Sequence, residues 1–344
     1  KRETMNGDKT SPIRNNRSAE SGLLTVARKE LTDHLTSRTF LVFAALLVVV
    51  CLLPFQEGLG GYHATAEAYA AGPVVHPGGI VDEFGSSPPS AADVYSRLPG
   101  ALSTTGAILA IAMGFDLVSR ERQSGSLKLL LVRPVFRDEI ITGKALGGLL
   151  ALATLVFAGL AVSLGILLVD GIVPDTDALV SILLFALATV AFLAFYFSLA
   201  LTISTVVPRT GKAFLCALVT FFIFTALVPT AGAVAKDVVV GGSPLPGTSP
   251  DERGDYQTRL DLLNSVVTAF SPQWNYELVA KSALEPRLTA YQFLEGHITH
   301  LPYDGTAHPT DALARFWQNA LVLFTAPFVL FGIAYLAFQR MDVR

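Results

Sequence analysis

Apolar residues in this chain come in long, nearly unbroken runs rather than in the alternating patterns of a soluble fold. A helix needs about 20 mostly apolar residues to cross a bilayer, within a range of roughly 17–25. Six segments meet that length: 37–55, 98–117, 145–169, 179–207, 213–235 and 316–338. The first is the weakest, because its wholly apolar stretch is short and Pro54 is predicted to end it. Between these bounds the third to sixth segments contain no Asp, Glu, Lys, Arg or His. The pattern predicts an all-α integral membrane protein with six transmembrane helices.

Shorter patterns lie between the spans. In 22–36, Leu24, Ala27, Leu31 and Leu35 recur at helical spacing, with Arg28, Lys29, Glu30 and Asp33 among them. That division suits a helix lying in the bilayer interface, or else a cytosolic extension of the first span. Residues 1–21 mix charge with Ser, Asn and Thr and are expected to form a disordered tail, with 339–344 as a second tail. The loop 56–96 is rich in Gly, Pro, Ala and Ser, a composition that predicts little regular structure. The last outer loop, 236–314, differs. Leu260, Leu263, Val267 and Phe270 follow a helical period, and Ser271 stands as an N-cap with Pro272 at the first helical position. A second short amphipathic helix is predicted to run to about Leu284, carrying Trp274 and Tyr276, residue types that favour the membrane–water boundary. Such helices either cap the bundle or merely cover the outer ends of the spans.

Composition sharpens this picture. Charged residues are only 15% of the 344, apolar residues 51%, and mean hydropathy is +0.51, so the excess apolar surface must face lipid. The net charge of −3 gives no footing for nucleic acid. Its distribution sets the orientation. The segments 1–38, 118–144, 208–212 and 339–344 hold 18 of the 25 Lys and Arg, while the alternate loops hold 7. With Asp116, at the end of the second apolar segment next to 118–144, counted on the same side, acidic residues divide 10 against 18, so one face carries +8 and the other −11. Basic loops stay in the cytoplasm, which puts both termini inside a plasma membrane protein. The polar, charged stretch before the first apolar run leaves no cleavable signal peptide to expect. Cys51 and Cys216 both lie in apolar stretches and imply no disulfide framework.

Candidate chemistry is sparse. The apolar spans offer no ionisable group near mid-membrane, which argues against ion-driven transport and leaves a passive pore or carrier open. There is no HExxH or GxSxG, and neither Gly143-Lys144 nor Gly211-Lys212 has the upstream glycine of a phosphate-binding loop. No catalytic residue and no cofactor are therefore assigned to the chain. His297 and His300 could share a helix face, yet no cysteine or firm spacing supports a metal site.

The informative segment is the linker 119–144. Glu121-Arg122 leads into Gly125-Ser126-Leu127, then Leu130-Leu131 and Pro134, followed by Arg137 and Gly143-Lys144. The pattern is a short helix with Leu127, Leu130 and Leu131 on one side, capped by Ser124 or Ser126 and stopped by Pro134. A second helix starts near Arg137, with Asp138 and Glu139 at its positive end. An apolar face framed by Arg122, Lys128 and Arg133 invites a partner surface, or lies flat on anionic headgroups.

This run, with the six spans and the flanking amphipathic helices, resembles the type-2 ABC transporter permease family. It is similar in particular to the branch that includes the permease associated with copper-site maturation of nitrous oxide reductase. The resemblance covers nearly the whole chain from Gly22. It implies the membrane subunit of an ATP-driven exporter, with no enzyme activity of its own. The linker would be a coupling helix seated in a separate ABC-type ATPase, present in two copies and carrying the ATP and Mg2+. Gly125, Ser126, Leu127, Leu130, Leu131 and Pro134 would form its body, Glu121 its entrance, and Arg137, Gly143 and Lys144 its exit. A second permease, identical or related, would complete the pathway, with membrane lipids around it and an accessory outer-surface subunit possible. Two departures stand out: Ser126 replaces the commoner threonine, and Phe136 stands where the family often has a capping serine. An ATP-independent pore or carrier, and a membrane scaffold using the acidic last loop, are the alternatives.

Overall fold

The computed structural model describes residues 22–72, 88–126, 136–241, 249–286, 288–292, 297–300, 310, 314 and 316–341. The spans 38–71, 91–124, 137–169, 176–206, 210–240 and 317–339 are long and apolar enough to cross a membrane. Helix α1 (Gly22–Thr36) precedes the first span, α2 (Arg38–Ala71). A 3-10 turn at Ala91–Tyr95 leads into α3 (Leu98–Gly114), and α4 (Ser119–Ser124) follows it. Then come α5 (Arg137–Val169), α6 (Thr176–Val206) and α7 (Thr210–Val240), the last interrupted by two π-turns. Beyond α7 lie α8 (Pro250–Ala269), α9 (Pro272–Leu284), the strand pair β1 (Leu288–Gln292) and β2 (His297–His300), and finally α10 (Trp317–Gln339).

Helix α6 is the centre of the bundle and packs on α3, α9, α10 and α5. Its Phe192, Leu193, Tyr196, Ala200 and Leu201 are completely buried. Of the most apolar stretch in α6, 61% is inside the bundle, against 11% in α5 and 17% in α2, so these outer helices present their apolar faces to lipid. Asp175 caps α6, its carboxylate accepting from the Ala178 N–H at 3.0 Å. In α7, Pro229 lacks the N–H that an α-turn would use. The preceding turn widens instead, and Val228 donates to Ile223 five residues back.

Four features depart from the sequence expectations. Pro54 does not end the first span: α2 continues to Ala71 through the segment expected to be irregular. One lost backbone bond is outweighed by packing, because Phe55 meets Tyr95 edge-on at 5.7 Å and the far end is pinned by His63 to Asp170 at 2.8 Å. Helix α9 begins at the expected Ser271 cap but does not lie on the outer surface. Trp274, Tyr276, Val279, Ala280 and Ala283 are buried against the bundle. Tyr276 stacks on Phe192 at 4.4 Å, shares a hydrogen bond with Thr189 at 3.0 Å, and its burial lifts the phenol pKa. Phe270, placed on the buried stripe by periodicity, is exposed in the turn after α8. Finally, the last loop adds an antiparallel pair in which Leu288 faces His300 and Gln292 faces His297, its Ile, Thr and Tyr being strand formers. His297 and His300 thus fall in a strand, and the helical spacing that made them a possible pair does not apply.

Candidate functional site

Helix α1 lies along the first turns of α5 because Gly143 and Gly147 leave a groove there. A Cβ on Gly147 would come within 2.6 Å of the Glu30 Cβ, and one on Gly143 within 2.7 Å of the Val26 Cβ. Small residues four apart let two backbones approach this closely. Between these glycines stands Lys144, only 2% exposed. Its ammonium donates to Glu30 Oε1 at 2.7 Å and to Glu121 Oε1 at 2.8 Å. One cation therefore joins three elements: α1, α4 at the end of the second span, and the start of the third. An unpaired charge so buried is costly, and the cluster is favourable only while all three members are in place.

The entrance of the linker is equally well held. Ser204 of α6 accepts from the backbone N–H groups of Val118 and Ser119 at 3.1 and 3.0 Å, fixing the first turn of α4. Thr210 at the start of α7 donates to Gln123 at 3.0 Å. Gly125 ends α4 in the left-handed region, φ +75°, which residues with a Cβ rarely adopt. Ser126 then donates back to the Glu121 carbonyl at 3.4 Å. At the exit, Phe136 cannot cap with its phenyl ring, yet the Glu139 carboxylate accepts from the Phe136 N–H at 3.1 Å and supplies half of a capping box. Arg137 donates to the Met341 carbonyl at 3.2 Å, tying the exit to the end of the sixth span.

A polar cavity of about 800 Å3 opens beside the cluster, walled by α1, the elbow to α2, the end of α3, and α4. His34 projects into it, with a buried Nε2 that has no hydrogen-bond partner among the described residues. Burial holds the His34 pKa below its usual 6.5, opposed by Glu30, Asp116 and Asp33 and reinforced by Lys144. Lys29, hydrogen-bonded to Asp33 at 2.8 Å, has its pKa raised by that bond despite partial burial.

Of the residues assigned to the linker from sequence, Glu121 and Lys144 are in direct contact, although 23 positions apart. Gly125 and Ser126 continue from Glu121; Arg137 and Gly143 belong to the turns flanking Lys144. Leu127, Leu130, Leu131 and Pro134 lie outside the described residues, as do the tails 1–21 and 342–344. Sequence reasoning missed Glu30 and His34. The stripe Leu23, Val26, Ala27, Glu30 also recurs at helical spacing, and it is the one that faces α5.

The profile of the family described as "ABC-2 family transporter protein" matches residues 24–343. The chain belongs to this family. Two curated relatives share stretches of it: the "Probable ABC transporter permease protein NosY" of Pseudomonas aeruginosa is 30% identical over 156 residues, 45% of this chain and 48% of that protein. The protein of the same name from Stutzerimonas stutzeri is 30% identical over 149 residues, 43% of this chain and 46% of that one. The chain spans about half the length of the curated relatives it matches. As an ABC-2 family member with six apolar spans, it is a multi-pass membrane protein. Among the described residues its charged cluster is closed by the two ion pairs of Lys144 with Glu30 and Glu121.

Proposed function

We propose that this chain is the permease subunit of an ATP-driven transporter and that linker 119–144 receives the stroke of a separate ATPase. The observation that carries the proposal is the 2.8 Å contact of Glu121 with Lys144, which closes the linker at its base. A push on a loop whose ends are clamped reaches the second and third spans together, and through Glu30 it also reaches α1. A loop with free ends would absorb the same push by bending. Closure of two ATPase copies, which bind the ATP and Mg2+, then shifts the spans between inward- and outward-facing arrangements. A second permease, identical or related, lines the pathway with this one, and substrate moves outward. The basic face, +8, is cytoplasmic with both termini, in the plasma membrane. Helix α1 rests in the cytoplasmic interface, and the acidic outer face offers a surface to an accessory subunit.

Leu130→Asp is the direct test, read by co-purification with the cognate ATPase and by stimulation of its hydrolysis. Capture and stimulation should both fall at least tenfold while membrane insertion is unchanged. Wild-type values for this variant would overturn the coupling role. Solute transport by the purified chain alone in liposomes would favour an ATP-independent carrier instead.

A further inference from the structure

Helices α2 and α5 both flank the core yet make no extensive contact with each other. Between them is a cleft of about 340 Å3, floored by α3 and α6. Its lips, Val48 and Leu52 on α2 and Val162 on α5, are exposed, and all lie within spans that cross the membrane. Its mouth therefore opens on hydrocarbon. The hydroxyls in its wall are already engaged, and the other polar side chain there is the weakly polar thiol of Cys51. Tyr95 and Ser163 share a hydrogen bond at 2.9 Å, and Ser163 donates to the Leu160 carbonyl at 2.8 Å. Thr189 donates to the Phe185 carbonyl at 2.8 Å and meets the Tyr276 hydroxyl at 3.0 Å. Water needs two to four polar partners, more than this largely apolar wall offers.

We propose that this cleft is a binding site for one acyl chain of a bilayer phospholipid. Interiors are close-packed, so an unfilled void of this size is unfavourable; an apolar cavity of roughly 150 Å3 already binds benzene. One 5.4 Å turn of an α-helix about 10–12 Å across with its side chains takes up roughly 420–610 Å3, more than the cleft holds, whereas a flexible hydrocarbon chain fits. The site stands on membrane insertion alone and holds whether or not the linker engages an ATPase.

Gly159 lines the cleft, and a Cβ there would meet nothing within 4 Å, so a large side chain can fill the space without displacing the fold. Gly165 has equal room on the same helix but does not line the cleft. The experiment uses the full chain in phosphatidylcholine vesicles containing a phosphatidylcholine with a mid-chain diazirine, with adducts mapped by mass spectrometry after photolysis. Adducts should be several-fold denser on 47–55 and 155–166 than around Phe328 and Val329, which are merely exposed. Gly159→Phe, or the milder Ala158→Leu, should abolish that excess, and Gly165→Phe should preserve it. Adduct density in the cleft no higher than at Phe328, an excess that survives both filling variants, or crosslinks showing the cleft occupied by a second copy of the chain would each overturn the proposal.

Discussion

Lys144 shows how much one side chain can hold when two carboxylates share it. Removing one partner of a buried ion pair costs about 3–5 kcal/mol, because the remaining charges stay buried without compensation. Lys144→Met should therefore lower the thermal midpoint in detergent sharply. The triple variant Glu30→Gln, Glu121→Gln, Lys144→Met should recover most of the loss, since no charge is then stranded. If the single and triple variants melt together, the cluster is not a unit. His34 adds a pH dependence. Its folded-state pKa lies below 6.5, so above that pH it is neutral whether folded or unfolded and adds nothing. Below about 6.5 the unfolded chain takes up the proton first, and stability falls. The melting temperature should drop as pH is lowered through this region, and His34→Phe should flatten that part of the curve. Lys144 was visible in the sequence as the residue beside a glycine at the mouth of a span. Its partner Glu30 was not, because an acidic residue in an amphipathic helix is ordinarily on the wet face.

At the scale of elements, α1 is held by closeness rather than by bulk. Gly147→Leu would drive atoms into the Glu30 side chain and the Ala27 carbonyl, an overpacking cost of about 1–3 kcal/mol or the detachment of α1. Limited proteolysis at Arg28 and Lys29 should accelerate in that variant while cleavage elsewhere keeps its rate. Helix α9 illustrates the opposite balance between local signal and context. Ser271 accepts from the Trp274 N–H at 3.3 Å, as its sequence position predicts, and Ser271→Ala should cost about 1 kcal/mol by chemical denaturation. Where the helix lies was not readable. Trp and Tyr serve a membrane boundary and a bundle core equally well, and only the facing Phe192, Thr189 and Asn319 select the core. Pro54 belongs to the same class: a local breaker overridden by partners that the sequence cannot rank.

For the whole molecule, the asymmetry of 18 basic residues against 7 should be visible as sidedness. With Cys51 and Cys216 replaced by Ala, Arg209→Cys should react with a membrane-impermeant maleimide only from the cytoplasmic side, and Val173→Cys only from the outside. Labelling of both from one side would refute the six-span order. What the amino-acid sequence determined by itself is what depends on local length and count: six apolar stretches long enough to span, the sidedness of charge, the cap of α9 and the place of the linker. What only the tertiary structure decided are the relations between distant positions: Glu30 with Lys144 across 114 residues, the insertion of α9 beside α6, and the cleft left where α2 and α5 diverge. The physical reason is that hydrophobic length acts residue by residue, whereas the worth of a buried charge or an unfilled space depends on which side chains the fold brings against it.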